Sequence, residues 1–191
     1  LEAIRNVRKE RIQKIIVSTS DKVYGHAQPP YIENTSFAPK FTYETTKACQ
    51  DFVCQNFFYN YGLPINILRC SNIYGPGDKN FSRIIPNNIL RCLRGLRPQL
   101  NSGVANYARE FVFIDDIVSA FTLVAAQANP GENFCVGGTG ITIIKDLIFN
   151  ISRLTNSSLE PEIINRPAAF LEIEKQWIDS SKLSSLGWSP S

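Results

Sequence analysis

Two short apolar runs separated by a helical pattern constrain the fold more than any other feature. Residues 14–19 and 65–69 are rich in β-branched and aliphatic side chains and have the length of buried strands. Residues 43–61 between them have helical periodicity, and residues 62–64 contain the glycine and proline that end a helix. The residues expected to be buried on this helix are Cys49, Phe52, Val53 and Phe57. Strand, helix and strand in this order predict an α/β fold with a parallel sheet.

Polar side chains follow the first strand at the edge where parallel sheets bind ligands. Ser20, Asp21 and Lys22 come directly after that strand. Tyr43 and Lys47 are four residues apart at the start of the helix, so the phenol and the ammonium share one face. An ammonium beside a phenol lowers the pKa of the tyrosine and makes it a usable base. With the Ser20 hydroxyl bonding the same substrate oxygen, these residues predict a carbonyl/alcohol redox site.

The remainder of the chain alternates further strands and helices. Strands are predicted at residues 98–101, 110–114, 133–136 and 161–164. Three helices are predicted. The first spans residues 84–93, the second begins at an N-cap formed by Asp115 or Asp116, and the third begins at Thr142. The apolar stripe of the second of these helices is Ile117, Ala120, Phe121, Val124, Ala125 and Ala128. The glycine cluster at residues 137–140 lacks the spacing of a dinucleotide-binding loop and indicates a turn.

Composition excludes several classes of protein. A chain of 191 residues with 43% apolar residues is globular, and its net charge of +3 is small. Basic residues near the N-terminus are interspersed with Glu2 and Glu10, which indicates a solvated helix face and not a nucleic-acid site; they are Arg5, Arg8, Lys9, Arg11 and Lys14. No apolar run reaches the length of a membrane span. Five scattered cysteines indicate a reducing, cytoplasmic environment, and a single histidine argues against a metal site.

Four motifs together resemble one family, the extended short-chain dehydrogenase/reductases that act as nucleotide-sugar epimerases and dehydratases. They are residues 20–25, the Tyr43-x-x-x-Lys47 pair, residues 69–78 and residues 109–116. Within the family, residues 20–22 and 80–86 are most similar to the CDP-glucose 4,6-dehydratases. The resemblance, which runs from about Ile12 to the end, implies NAD as cofactor and a CDP-glucose-like nucleotide sugar as substrate. The implied product is CDP-4-keto-6-deoxyglucose.

The resemblance also implies a domain organisation. Residues 1–80 are expected to be the C-terminal half of an NAD-binding Rossmann domain. Residues 81–191 are expected to be mainly a smaller α/β domain for the nucleotide sugar, with some segments returning to the Rossmann-like parallel sheet. Members of the family begin with a glycine-rich strand, turn and helix that hold the cofactor pyrophosphate, and no such segment precedes Leu1. Because the chain also has no methionine, we expect a C-terminal fragment of a longer enzyme.

Individual site residues follow from matching the family motifs to this sequence. The implied catalytic residues are Ser20, Asp21, Lys22, Tyr43 and Lys47. The implied cofactor-binding residues are Ser18, Thr19, Tyr43, Lys47 and Cys70. The implied substrate-binding residues are Asn72, Arg83 and Arg109, since a guanidinium fork suits a diphosphate.

The elimination step distinguishes a dehydratase from its relatives. In the related dTDP-glucose enzymes an aspartate and a glutamate carry it, and this chain has Asp21 and Lys22 at those positions. An acid needs a raised pKa and an amine base a lowered one, whereas adjacent carboxylate and ammonium groups are expected to stay ionised. The sequence therefore leaves open the role of Lys22 and whether a water bridges it to the sugar.

Two alternatives remain from the sequence. A 4-epimerase or reductase of the same family needs the serine, tyrosine and lysine but no elimination pair. A non-catalytic fragment would bind the nucleotide sugar and turn nothing over, so the chain alone is expected to be inactive in that case. The family resemblance also implies a homodimer that packs through the helix containing Tyr43, and no nucleic-acid or membrane partner is expected.

Overall fold

The computed structural model describes residues 1–6, 12–165 and 172–191. Its helices are α1 (Glu2–Asn6), α2 (Thr42–Tyr61), α3 (Ile84–Leu93), α4 (Ile114–Gln127), α5 (Ile144–Leu154) and α6 (Ser181–Ser184). Its strands are β1 (Ile15–Ser20), β2 (Ile65–Cys70), β3 (Asn72–Tyr74), β4 (Gln99–Asn101), β5 (Ala108–Phe113), β6 (Asn133–Val136), β7 (Ile141–Ile143), β8 (Glu162–Ile164) and β9 (Lys175–Gln176). Within these ranges, no helix combines the length and the apolar character that crossing a membrane requires.

A three-stranded parallel sheet forms the first layer, in the order β1-β2-β6. All six residues of β2 are buried, because helices cover both faces of the sheet. Ile65 and Ile67 pack with Cys54 of α2. Leu68 belongs instead to the cluster that contains Val124 of α4. Since successive side chains of a strand point to opposite faces, α2 and α4 lie on opposite sides of the sheet. The predicted α/β class with a parallel sheet is confirmed.

The second group of strands is organised around β5. This strand pairs in parallel with β3 and β9 and antiparallel with β7, while β4 and β8 form a separate parallel pair. A second core, formed by Leu100, Ile144 and Ile148, lies between β4 and α5. Because a single residue separates the end of β2 from the start of β3, this second group adjoins the carboxyl ends of the first sheet.

The prediction for the buried face of α2 was wrong for three of its four residues, whereas Phe57 is half-buried and packs against the cluster that contains Cys54. Cys49 is exposed, and Phe52 and Val53 are 57% and 49% exposed. The residues that face the protein are Glu44, Ala48, Asp51 and Cys54. Periodicity of apolar residues selects the wrong face here because two of the buried residues are carboxylates that find hydrogen-bond partners inside the protein.

Two predicted helix starts also needed correction. Phe113 is the N-cap of α4, and both Asp115 and Asp116 lie in its first turn. The Asp116 carboxylate accepts hydrogen bonds from the backbone and side chain of Ser191 (3.0 and 2.9 Å), so it holds the C-terminus instead of capping the helix. Thr142 lies in β7, where it pairs with a residue of β5, and α5 begins two residues later. Of the predicted α4 stripe, the buried residues are Ile117, Ala120, Val124 and Ala128.

The N-terminal basic cluster is divided by the structure. Arg5 lies in α1 and pairs with Glu2. Arg8, Lys9 and Arg11 lie outside the described residues. The Lys14 ammonium donates to the carbonyl oxygens of Val124 and Ala128 (3.0 and 2.5 Å), at the end of α4, where helix carbonyls lack partners. Lys14 is therefore part of the packing of α4 and not of a solvated face, which corrects the prediction.

Candidate active site

A cleft of about 450 Å³ opens at the carboxyl ends of β1 and β2. Residues predicted for three different roles line it together. From the catalytic and cofactor sets these are Ser18, Thr19, Ser20, Lys22, Tyr43, Lys47 and Cys70. From the substrate set these are Asn72 and Arg83, contributed by β3 and the start of α3. The cleft therefore lies between the parallel sheet and the second group of elements.

The turn after β1 presents Ser20 to the cleft. Residues Asp21–Tyr24 form a 3₁₀ turn whose N-cap is Ser20. The Ser20 hydroxyl accepts from the Lys22 backbone N–H (3.2 Å) and donates to Asp21 Oδ1 (3.0 Å). Gly25 ends the turn with φ of 51°, and a Cβ there would meet the Ala38 carbonyl oxygen at 2.0 Å. A glycine is required at this position, because no other residue fits both the backbone conformation and the space.

Asp21 lies beneath the cleft and not on its surface. Its side chain is almost fully buried, and Oδ2 has no hydrogen-bond partner among the described residues. Burial raises the pKa of Asp21, against the opposing effects of Lys22, the Ser20 hydrogen bond and Arg109. Burial therefore favours the protonated form of Asp21, which can donate a hydrogen bond or a proton as a general acid must.

Lys22 has the complementary shift. Burial lowers the pKa of its ammonium, and Arg109 lowers it further, while Asp21 raises it. The Lys22 Nζ donates to Oε1 of Gln176 in β9. Adjacent carboxylate and ammonium groups were expected to stay ionised. Each pKa moves in the direction opposite to the one that mutual attraction alone would give, because the cost of burying each charge is the larger effect.

Tyr43 and Lys47 occupy the first turns of α2 and reach the cleft from one face, as their spacing predicts. The Lys47 Nζ lies 5.9 Å from the centroid of the Tyr43 ring and donates to Gln50 Oε1 at 3.1 Å. The buried Glu44 carboxylate accepts from the backbone N–H groups of residues 40 and 41 (2.8 and 3.2 Å). These two hydrogen bonds fix the start of α2 and with it the positions of Tyr43 and Lys47.

The cofactor side of the cleft is lined by small polar groups at the ends of β1 and β2. Ser18 Oγ and Cys70 Sγ lie 4.0 Å apart, and the Gln50 amide donates to the Ser18 carbonyl oxygen at 3.2 Å. The buried Ser71 Oγ has no hydrogen-bond partner among the described residues. The unbonded Ser71 hydroxyl and the Lys47 ammonium line the same cleft and suit the ribose and carboxamide groups of a nicotinamide cofactor, so the residues present fit NAD.

Ser71 was missed by sequence reasoning. The signal that could have found it is its position directly after the second strand, since Asp21 stands directly after the first. It lines the cleft beside Asn72, whose Nδ2 donates to the Glu110 carbonyl oxygen at 2.8 Å.

The two predicted phosphate-binding arginines have different surroundings. Arg83 lies at the cleft, and its side chain is 57% exposed. Its guanidinium pairs with the Asp78 carboxylate at 3.3 Å. Arg109 is buried and does not line the cleft. Its guanidinium donates to the Ala108 and Glu174 carbonyl oxygens (3.0 and 3.2 Å) and to Glu172 Oε1 (3.2 Å). The structure places Arg83 in the lining of the cleft, whereas Arg109 lies outside that lining but close enough to affect the pKa of Asp21 and Lys22. The substrate role of Arg109 stays a prediction.

A buried ion pair behind the cleft was also missed. Arg69 of β2 donates from Nε and Nη2 to both carboxylate oxygens of Asp51 in α2 (2.8 and 2.9 Å). Its Nη1 donates to the Tyr24 hydroxyl and the Glu33 carbonyl oxygen (3.0 and 2.8 Å). Thr19 Oγ1 donates to Asp51 as well (3.2 Å). The pair therefore holds α2, β1 and β2 in register directly behind the site.

Glu110 connects the C-terminal segment to β5. Its carboxylate accepts from the Ile178 N–H at 3.0 Å and from the Gly138 backbone. Burial raises the pKa of Glu110 to about 7. A Cβ on Gly137 would lie 2.6 Å from the same carboxylate, and one on Gly138 would lie 1.9 Å from the Phe111 carbonyl oxygen. Gly137 and Gly138 therefore allow this turn to pack closely against β5.

A parallel sheet with helices on both faces, and a serine, tyrosine and lysine gathered at its carboxyl edge, define an extended short-chain dehydrogenase/reductase of the epimerase/dehydratase class. The chain belongs to the family described as GDP-mannose 4,6 dehydratase, whose profile matches residues 1–191.

Its relatives include enzymes of known activity. The dTDP-glucose 4,6-dehydratase of Xanthomonas campestris is 30% identical over 203 residues, which cover 99% of this chain and 56% of that protein. The structure of dTDP-glucose 4,6-dehydratase from Bacillus anthracis in complex with NAD has a TM-score of 0.84 and 25% identity, covering 93% of this chain and 57% of that one. The structure of UDP-glucose 4-epimerase from Thermotoga maritima with UDP-glucose has a TM-score of 0.87 and 26% identity, covering 100% of this chain and 61% of that one. The chain thus spans little more than half the length of these proteins.

Proposed function

We propose that this chain carries the substrate-side catalytic residues of an NAD-dependent nucleotide-sugar 4,6-dehydratase. The observation that supports this most is the pair of opposed environments at the end of β1. Asp21 is buried with a raised pKa, and its neighbour Lys22 lines the cleft with a lowered one. A carboxyl group with a raised pKa beside an amine with a lowered pKa is suited to act as an acid and base pair.

The proposed domain organisation follows the two groups of strands and helices. Residues 1–80 supply the C-terminal half of the cofactor domain, and residues 81–191 supply mainly the nucleotide-sugar domain. Two observations support this: β6 pairs with β2 of the first sheet, and α4 packs on that sheet. These are segments of the second half that return to the first.

In the first step, Tyr43 takes the proton from the 4-hydroxyl group of the sugar while Lys47 stabilises the phenolate. Ser20 donates a hydrogen bond to the same oxygen as it becomes a carbonyl, so the developing charge has a fixed partner. A bound NAD would supply the acceptor for the C4 hydride and, once reduced, the hydride donor for C6. Ser18, Thr19 and Cys70 would hold its nicotinamide end together with Tyr43 and Lys47, since all five line the cleft.

In the second step, the new 4-keto group acidifies the C5 proton. The neutral Lys22 amine takes that proton, and the C5–H electron pair forms the C5=C6 double bond as the C6–O bond breaks. Protonated Asp21 gives its proton to the departing hydroxyl group, which leaves as water. The protons of the Lys22 ammonium exchange with solvent, and Lys22 then gives one of them to C5 when C6 is reduced. The proton held by Tyr43 passes to the solvent and Asp21 regains one from it, so the cycle balances.

The substrate is proposed to be a nucleoside diphosphate hexose. Arg83, exposed at the cleft and paired weakly with Asp78, can exchange that carboxylate for a diphosphate. Asn72 and Arg109 are proposed as further substrate contacts on the family resemblance. The likeness of residues 20–22 and 80–86 favours CDP-glucose, whereas the relative from Xanthomonas campestris is a dTDP-glucose 4,6-dehydratase.

A second candidate is a 4-epimerase, favoured by the structural likeness to UDP-glucose 4-epimerase from Thermotoga maritima. An epimerase uses Ser20, Tyr43 and Lys47 but needs no elimination pair. Asp21→Asn would therefore spare an epimerase and disable a dehydratase. Asp115→Asn on the exposed first turn of α4 is the matched control.

The proposed assembly is a cytoplasmic homodimer. Its support is the outward face of α2, where Phe52, Val53 and Tyr59 are 57%, 49% and 75% exposed. An apolar helix face of this kind packs against a second copy in a four-helix arrangement. All five cysteines are free thiols, which is consistent with a reducing compartment.

The test is a substrate panel. The chain is incubated with NAD and, separately, with CDP-glucose, dTDP-glucose, UDP-glucose and GDP-mannose, and the products are followed by proton NMR. A 4-keto-6-deoxy sugar from any of them supports the dehydratase, and the preferred nucleotide identifies the base. A 4-epimer supports the second candidate. Binding by calorimetry without turnover supports a non-catalytic nucleotide-sugar binding unit.

A further inference from the structure

Gln176 joins the C-terminal segment to the catalytic turn. It is fully buried in β9, where it pairs with Arg109 of β5. Its Oε1 accepts a hydrogen bond from Lys22 Nζ. Its Nε2 is buried and has no hydrogen-bond partner among the described residues. A side-chain amide held with one end on the proposed base and the other end free requires an explanation, because an unmet buried donor is costly.

We propose that Gln176 is a positioning residue that holds the Lys22 amine at the cleft in both of its protonation states. An ammonium can only donate hydrogen bonds, and the amide oxygen accepts one. A neutral amine also has a lone pair, to which the amide N–H₂ can donate after a half-turn of the side-chain amide. The free Nε2 is thus the partner for the second state. This inference rests on the proposed dehydratase function.

The neutrality of Gln176 matters because the surroundings of Lys22 are already charged. Asp21 on its own turn, Glu44 on α2 and Glu172 on the C-terminal segment favour the ammonium, and Arg109 on β5 opposes it. A carboxylate in direct contact would hold the proton on Lys22 and prevent it from acting as a base. An amide orients the amine without adding charge.

The test measures the protonation of Lys22 directly. The full chain is labelled with acetic anhydride over a range of pH, and mass spectrometry reports the reaction of Lys22, since only the neutral amine reacts. Gln176→Glu retains the acceptor and adds a negative charge, so the titration of Lys22 should move up by about one unit or more. Gln99→Met, which removes a half-buried strand glutamine away from the cleft, should leave it unchanged.

A Gln176→Glu titration that coincides with that of the wild type would overturn the proposal. This labelling needs no turnover, so it decides the role of Gln176 even where the substrate panel finds no dehydratase activity. With turnover, the rising limb of the kcat profile should move with the same shift while KM stays within about twofold. Gln176→Met, which cannot hold the amine, should lower kcat on the order of 100-fold at every pH. An unchanged kcat in a folded Gln176→Met variant would equally overturn the proposal.

Discussion

Removing the carboxylate of Asp51 should destabilise the protein far more than its size suggests. Asp51→Ala leaves Arg69 Nε and Nη2, which now bond both carboxylate oxygens, without acceptors in a site where the two side chains are 2% and 0% exposed. The two remaining bonds to Tyr24 and Glu33 satisfy only Nη1. Breaking a buried pair by removing one partner costs about 3–5 kcal/mol, because an uncompensated charge stays buried.

Urea unfolding followed by circular dichroism measures this loss. With a slope of about 2 kcal/mol per molar urea, the midpoint should fall by roughly 1.5–2.5 M. The matched control is Asp78→Ala, which breaks the exposed pair with Arg83 at 3.3 Å and should cost less than about 1 kcal/mol. The double variant Asp51→Leu/Arg69→Met removes both charges and should recover most of the loss.

Two results would refute this reasoning. An Asp51→Ala variant within about 1 kcal/mol of the wild type would show that water or another group meets the guanidinium. A double variant as unstable as the sum of its single variants would show that the two side chains act independently, contrary to the bidentate geometry.

Three further outcomes are expected. Burial raises the pKa of Glu110 to about 7, from 4.5, so the folded state binds the proton more tightly. The free energy of unfolding should therefore fall by about 3 kcal/mol as pH rises from 4.5 to about 7. In the Glu110→Gln variant the free energy of unfolding, measured by urea titration at each pH, should change less over the same range. Tyr43→Phe should lower kcat by about 10²–10⁴-fold in steady-state assays, whereas Tyr59→Phe on the same helix should leave kcat unchanged. Arg83→Ala should raise KM for the nucleotide sugar about tenfold with little change in kcat, whereas Arg94→Ala, also exposed near the end of α3, should leave both constants unchanged.

Local sequence patterns were sufficient for the elements whose signal is local. The two apolar runs became β1 and β2, and the helix at residues 84–93 was observed with the predicted bounds, with Pro86 in its first turn. Gly62 ends α2 in the left-handed conformation (φ 63°), as its position after the last periodic residue indicated. Positions just after parallel strands identified the side of the fold that forms the cleft, because strand ends converge there.

Features that depend on distant partners could not be predicted in this way. The buried face of α2 contains Asp51, whose burial depends on Arg69 of the next strand, so an apolar pattern cannot reveal it. The shifts at Asp21 and Lys22 have the opposite sign to that expected for adjacent charges, since burial is a property of the fold and not of the neighbouring residue. Gln176, which lies far along the chain from Lys22, has no motif that marks it.

Solvent deuterium at C5 of the sugar tests the central claim most directly. The chain is incubated in deuterated water with NAD and the preferred nucleotide sugar, and the product is examined by proton NMR. The account predicts a 4-keto-6-deoxy sugar with deuterium at C5 from the wild type and Asp115→Asn, and loss of that product in Asp21→Asn. A 4-epimer that retains its 6-hydroxyl group and its C5 proton, formed equally by Asp21→Asn, would contradict it.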